Sequence, residues 1–262
     1  MKKYLVTGGS GFIGSKIAER VGGIVFDTHQ GLDILRLEDV ASYRDVDGVF
    51  HCAAKISVGE SFEKPDEYYA VNVLGTKNIA SLGKKIVFSS SAAVYGTYNE
   101  TVKEDFALRP ESPYGQNKVD AEKILSSGNH IALRYFNVYP SRSGVINHFI
   151  RLAKENKDID ISGDGSQVRD FIFIDDIVEA NVKAMEYNND RFEVFNIASG
   201  VGITIKELAE LIIKLCKSKS KIVYSPPRKG DIQYSIADIS KAKQKLNWEP
   251  KVSLEQGLRK II

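Results

Sequence analysis

The chain is poor in sulfur and in tryptophan, with 2 cysteines, 2 methionines and 1 tryptophan in 262 residues. Cys52 and Cys216 lie far apart in apolar segments, which excludes a disulfide scaffold and fits reduced thiols in a cytosolic protein. A dominant charge is also missing: 36 Lys and Arg stand against 34 Asp and Glu, a formal net charge of +2. No overall field draws the chain to nucleic acid or to an anionic membrane, so an anion must be held by local groups. No apolar run approaches a membrane span, and the apolar stretch before the glycines of MKKYLVTGG is too short for a signal-peptide core, so a cytoplasmic location is expected. His51 and Cys52 have no partner at metal-ligand spacing, and His29, His130 and His148 stand alone, so no metal is expected. Internal repeats and low-complexity segments are absent from the sequence.

What is present is alternation. Short β-branched runs at 4–8, 23–27, 48–53, 85–91 and 130–136 are separated by apolar 3–4 patterns at 12–21, 67–82 and 117–127. Strands that are apolar on both faces and joined through helices predict a parallel sheet covered on both sides, a doubly wound α/β architecture. After about residue 140 the texture changes to strand-like pieces at 158–162, 170–174 and 192–198, with a Pro/Gly loop at 224–231. A first domain over 1–140 and a smaller mixed C-terminal lobe over 141–262 are expected, with part of the second returning to the first.

TGGSGFIG places Gly8, Gly11 and Gly14 three apart where the first strand meets the first helix. Glycines there allow a tight turn and close approach of a pyrophosphate, whose charge meets the open N–H groups and positive end of the helix. The strand-turn-helix context points to a dinucleotide. Asp27 ends the second strand, where a carboxylate accepts from adenosine ribose hydroxyls and repels a 2′-phosphate, favouring NAD over NADP. It comes 13 residues after Gly14 instead of about 20 from the fingerprint, which implies a short crossover. Asp33 follows within reach of an adenine edge.

SPYGQNK sets Tyr114 and Lys118 at i and i+4, on one helix face. Such a pair is common on helix surfaces. It becomes an acid-base centre if a nicotinamide lies beside it, because an ammonium close to a phenol favours the phenolate.

In this order TGGSGFIG, FHCAAKISVGES, NVLGT, FSSSAAVYG, SPYGQNK, LRYFNVY, GDGSQVRDFIFIDDI and PRKGDIQYSIADISKA resemble the extended short-chain dehydrogenase/reductase family. Within it they are most similar to the NAD-dependent epimerases and dehydratases of nucleotide sugars, over nearly the whole chain. The resemblance implies a Rossmann domain with a substrate-binding lobe, NAD as cofactor and a UDP-sugar as substrate. It also implies a homodimer built through a four-helix interface from the helices around 68–80 and 117–125.

The same resemblance distributes the site residues. Ser91, Tyr114 and Lys118 become the catalytic group, with Ser91 bonding the sugar 4-oxygen and Lys118 also holding the nicotinamide ribose. Gly8, Gly11, Phe12, Ile13, Gly14, Asp27, Asp33, Ile34, Ala53, Ala54, Asn72, Ser89, Tyr114, Lys118 and Tyr135 are implied to hold the cofactor. Ser91, Tyr114, Asn137, Val145, Arg169, Arg228 and Asp231 are implied to hold the substrate, the two arginines taking the diphosphate. Ser235 falls where the family gates 2-acetamido sugars. The activity implied is 4-epimerization through a transient 4-keto sugar, exchanging UDP-glucose and UDP-galactose, with N-acetyl sugars as further candidates. Family dehydratases and decarboxylases carry an acid just after the strand-end hydroxyl, and this sequence has Ala92 and Ala93 there. Other nucleotide-sugar dehydratases or reductases, and a non-enzymatic dinucleotide sensor on the same fold, remain alternatives. The segments 28–33 and 140–145 are shorter than in many relatives, so a sheet strand is expected to be short or missing and the pocket more open.

Overall fold

The computed structural model describes residues 2–141, 144–227 and 232–262. β1 (Tyr4–Thr7) turns through the glycines into α1 (Phe12–Val21), which Gly22 stops in the left-handed conformation at φ 60°. β2 (Ile24–Phe26) is followed by a 3-10 turn over Thr28–Gln30 and the short α2 (Leu37–Ala41). β3 (Gly48–His51) leads to α3 (Val58–Glu63), α4 (Pro65–Tyr69) and α5 (Gly75–Ala80); a π-helical turn over Ala70–Leu74 joins the last two. The apolar pattern at 67–82 is therefore continuous helix as far as Ala80, changing pitch in its middle. β4 (Ile86–Ser91) passes through a 3-10 turn, Ala92–Val94, toward α6 (Pro113–Leu125). Pro113 occupies the first turn of α6, where no N–H partner is lost, and the Ser112 hydroxyl caps it by accepting from the Gly115 N–H at 3.0 Å.

β5 (Ile131–Tyr135), β6 (Asn137–Tyr139), α7 (Val145–Lys154), β7 (Ile159–Ser162), β8 (Val168–Phe173) and α8 (Ile174–Glu186) come next. β9 (Glu193–Ile197), β10 (Gly202–Thr204), α9 (Ile205–Cys216), β11 (Ile222–Ser225), β12 (Tyr234–Ser235), α10 (Ser240–Leu246) and α11 (Leu254–Ile261) complete the described chain.

The main sheet is parallel, in the order β2-β1-β3-β4-β5-β9. One face packs Val6, Phe50 and Leu133 against Ile17 of α1 and Ala180 and Ala184 of α8; the other packs Leu5, Val49 and Phe88 against Ile79 of α5 and Ala121 and Leu125 of α6. Each such Val, Ile, Leu or Phe contributes about 1.5–3 kcal/mol on burial. This is the doubly wound α/β architecture with smaller sheets attached, β10-β8-β12 with β6 on β8, and β11-β7.

One detail differs from a simple reading of the C-terminal texture, and one bears out the expected loss of a strand after β2. The run at 192–198 joins the main sheet beside β5 and contributes nothing to the small sheets. Among the described residues no strand flanks β2, because the trimmed 28–33 segment closes into the 3-10 turn. The end of the chain is tied down by Trp248, whose indole N–H donates to the Asp176 carbonyl at 3.0 Å while the Asp176 carboxylate accepts from the Lys251 and Val252 N–H groups. Among the described residues no helix is long and apolar enough to cross a membrane.

Candidate active site

A cleft of about 530 Å³ opens at the C-terminal ends of β1, β2, β3 and β4, where open α/β sheets place ligands. Its floor is the glycine turn. Gly8 sits at φ +66°, and a Cβ on it would meet the Ala53 nitrogen at 2.7 Å; a Cβ on Gly14 would meet the Gly8 carbonyl oxygen at 2.2 Å. The backbone thus occupies space that any side chain would need. α1 follows Gly11 as its N-cap, with no side-chain cap and no acid in its first turn, leaving its dipole end to the cleft. Asp27 stands on the rim at the end of β2, accepting from the Ser10 N–H at 3.0 Å and the His29 N–H at 3.0 Å. The His29 ring adds a third contact at 2.7 Å. Burial raises the Asp27 carboxyl, but these His29 and Ser10 contacts outweigh it and hold the group below its ordinary value.

Of the residues expected to hold a cofactor, Gly8, Gly11, Phe12, Ile13, Gly14, Asp27, Asp33, Ile34, Ala53, Ala54, Ser89, Tyr114, Lys118 and Tyr135 all line this cleft. Asn72 does not. Its side-chain amide is consumed by the Lys55 backbone, accepting from the N–H at 2.9 Å and donating to the carbonyl at 3.0 Å. Asn72 shapes the loop after β3 from behind, and Lys55 itself reaches the cleft wall while pairing with Glu67 at 2.8 Å. Asp33 lines the cleft but spends one oxygen on the Leu35 N–H at 2.9 Å.

Tyr114 and Lys118 enter from α6. The Lys118 ammonium donates to the Ser89 carbonyl at 2.7 Å and stands 4.6 Å from the Phe88 ring centre and 5.8 Å from that of Tyr114. Burial brings its pKa down to about 8 from 10.5, against the opposing pull of Cys52 and Glu122. Burial also raises the Tyr114 phenol, and among the described residues the Ser91 hydroxyl beside it is what acts to lower it. The expected help from Lys118 is thus not delivered through a direct contact, because the ammonium is aimed at the β4 backbone. Cys52 lies under the same floor, pushed up to about 11 by burial, and accepts from the Ser89 hydroxyl at 3.3 Å. His51 is buried between the Thr7 and Thr76 hydroxyls at 2.6 and 3.0 Å, and burial drives its pKa down to about 3.

Ser91 caps the turn after β4, accepting from the Ala93 N–H at 3.2 Å, and faces a second pocket of about 190 Å³. Asn137, Arg169, Tyr98, Tyr234 and Ser235 share that pocket, and Ala92 and Ala93 leave its turn without an acid. Asn137 and Arg169 also open onto a larger cavity of about 1010 Å³ along α7, with Val145, His148 and Arg151 on its wall. Asn137 donates to the Asp170 carbonyl at 2.9 Å, and the Asp170 carboxylate accepts from Ser199, Gly200 and Ala237. Arg228 and Asp231 lie outside the described residues.

Sequence reasoning missed Ser10 and His29 on the rim, and a buried ion pair behind it, Glu122 with Arg134 at 2.7 Å. An arginine inside the apolar run HIALRYF, and an acid one turn past Lys118, were the signals for the pair. His29 left no signal beyond its closeness to Asp27.

An open parallel sheet with a glycine turn at its first crossover and a Tyr/Lys helix beside the cleft defines a dinucleotide-dependent enzyme of the short-chain dehydrogenase/reductase class. Residues 4–198 match the NAD dependent epimerase/dehydratase family, and the chain belongs to it. A putative UDP-glucose 4-epimerase of Methanocaldococcus jannaschii is 33% identical over 298 aligned positions, covering 98% of this chain and 96% of the relative. Because 298 positions exceed the 262 residues here, the relative carries insertions within the shared span. A UDP-N-acetyl-alpha-D-glucosaminuronate decarboxylase of Bacillus cytotoxicus is 32% identical, covering 100% of this chain and 97% of the relative. The crystal structure of UDP-glucose 4-epimerase with UDP-glucose from Thermotoga maritima is similar at a TM-score of 0.92 and 34% identity, covering 98% of this chain and 96% of that one. The protein is an NAD-dependent nucleotide-sugar enzyme. Its cleft fits that cofactor: the Gly8 and Gly14 cradle leaves no room for a Cβ, and the uncapped start of α1 faces it.

Proposed function

We propose that the chain is a UDP-sugar 4-epimerase that exchanges UDP-glucose and UDP-galactose. The observation that carries this reading is the meeting of the Ser91 hydroxyl and the Tyr114 phenol between the cofactor cleft and the small pocket, followed by a turn with no acid. The relatives named for 4-epimerization support the choice of sugar nucleotide. A decarboxylase relative keeps that second chemistry in view, and Ala92 and Ala93 count against it.

In this reading Tyr114 takes the proton of the sugar 4-hydroxyl while Ser91 donates to the same oxygen. Bound NAD supplies a two-electron acceptor that is restored within each turnover. Lys118 holds the nicotinamide ribose and adds positive charge near the phenol. Asp27 takes the adenosine ribose hydroxyls, and the helix end at Phe12, Ile13 and Gly14 takes the pyrophosphate. Asn137, Val145, Arg169, Arg228 and Asp231 hold the UDP moiety, so the 4-keto sugar turns while its diphosphate stays anchored. Residues 1–140 then form the NAD-binding unit and 141–262 mainly the substrate lobe. Ser235 beside Ser91 in the small pocket leaves room for UDP-N-acetyl sugars.

The reading includes a cytoplasmic homodimer. The exposed apolar side chains of Phe62, Tyr69 and Leu74 along α3 to α5 support a partner on that face. A light-scattering mass of one chain would remove the dimer. For the activity, UDP-galactose and UDP-N-acetylgalactosamine are incubated without added cofactor; interconversion of either is expected. No turnover of any UDP-sugar by protein with bound NAD would defeat the assignment.

A further inference from the structure

We propose that the buried Glu122–Arg134 pair, acting through Ser90, is the positioning device that sets Tyr114 against Ser91. The inference rests on the epimerase reading above. Both side chains are sealed from solvent, Arg134 at 4% and Glu122 at 5% exposure. The guanidinium grips the carboxylate with two bonds, Nη2 to Oε2 at 2.7 Å and Nε to Oε1 at 3.0 Å. The Ser90 hydroxyl donates to the same Oε1 at 2.6 Å. Arg134 extends the network to the Tyr95 hydroxyl at 2.9 Å and the Glu104 carbonyl at 3.3 Å, and Tyr95 donates to Asn196 of β9 at 2.6 Å.

The members sit one step from the reacting groups. Ser90 precedes Ser91 on β4, Arg134 precedes Tyr135 on β5, and Glu122 lies one and two turns beyond Lys118 and Tyr114 on α6. α6 is therefore tied to β4 at two successive strand residues, Lys118 to the Ser89 carbonyl and Glu122 to the Ser90 hydroxyl. One tie would leave the helix free to roll about its axis. Two ties a helical turn apart fix both its rotation and its translation along the strand, and with them the place of the phenol.

Stability alone does not explain the arrangement. Desolvating two charges offsets most of their attraction, and well-packed apolar residues commonly replace such a pair without loss of stability. What the apolar replacement lacks is a directional bond to Ser90. A phenol displaced by about 1 Å costs on the order of a hundredfold in rate.

The test compares Glu122→Leu/Arg134→Met with Glu122→Gln/Arg134→Met, the second of which keeps an acceptor for Ser90. The first is expected to retain its melting midpoint, NAD content and KM while kcat falls about tenfold or more, and the second to recover much of that loss. Wild-type kcat in the first variant, or equal kcat in both, overturns the proposal. Should neither double variant fold, Ser90→Ala decides: a drop in kcat of about threefold or more at constant KM and NAD content supports it, and an unchanged kcat overturns it. If the wild-type protein turns over no UDP-sugar, the epimerase reading is what has failed. The positioning role is then judged by crystal structures, where Ser90→Ala must move the Tyr114 hydroxyl relative to Ser91 by about 0.5 Å or more, and superposition overturns it.

Discussion

Lys118 donates to the main-chain carbonyl of Ser89 at 2.7 Å, so its ammonium is fixed by the strand that carries Ser91 and stands 5.8 Å from the Tyr114 ring centre, near the phenol but aimed at the backbone. The folded protein releases this lysine proton near pH 8, whereas an unfolded chain holds it to 10.5. Between those values folding expels a proton and this group favours the folded state more as pH rises; below 8 its burial cost is constant. Cofactor binding runs the other way. Because the charged lysine is assigned to the nicotinamide ribose, NAD affinity is expected to weaken above pH 8, by at most about tenfold per pH unit. Lys118→Arg keeps its charge and should flatten that limb; titration calorimetry across pH 7–10 reads both, and parallel curves would refute the assignment.

Tyr114→Phe removes one oxygen from a buried site and leaves the ring packing intact. Turnover is expected to fall by about a thousandfold or more, toward the loss typical of a missing acid-base group, with NAD still bound. A mild effect would make Tyr114 a packing residue. NAD content after desalting is the control.

Gly14→Ala puts a methyl group 2.2 Å from the Gly8 carbonyl oxygen, a contact the turn relieves only by moving. The variant should lose about 1–3 kcal/mol of stability from overpacking and bind NAD far more weakly, as read by urea unfolding and cofactor content. Wild-type values in both would show that the turn has slack.

His51 is neutral in the fold, held down to about 3 by burial between two threonine hydroxyls, and an unfolded histidine titrates near 6.5. Its folded pKa is depressed, so the unfolded state binds the extra proton below 6.5. Stability from this site is full above that pH and declines as the pH falls toward 3, by about 1.4 kcal/mol per unit. His51→Gln should show a shallower acid decline than wild type between pH 6 and 4 in chemical unfolding. Identical slopes would place the acid sensitivity elsewhere.

The parts of this fold that follow local rules were legible. Gly8, Gly11 and Gly14 announce a phosphate turn because the steric demand is local, and the strands are bounded by β-branched runs whose two apolar faces announce a covered sheet. Asn72 was legible as a motif residue but not as a backbone clamp, since the Lys55 loop it holds is brought to it only by tertiary packing. The Glu122–Arg134 pair was hidden for the same reason: each charge looks solvated in its own segment, and only the stacking of α6 on β4 and β5 buries both. Similarly, 192–198 carries a strand pattern that says nothing of its neighbour, and its place beside β5 is reached only when α8 carries the chain back to the parallel sheet.

That placement bears on how the chain reaches its native state. β5 is the fifth strand of the cofactor sheet, and its outer edge, Ile131 to Tyr135, is paired by residues 193 to 197. While the protein is being made, that edge stays open until the whole α7 to α8 stretch has left the ribosome, so a chain stalled near residue 190 presents five bare backbone positions to any passing strand. The nascent enzyme is most exposed to mispairing just before its cofactor sheet closes.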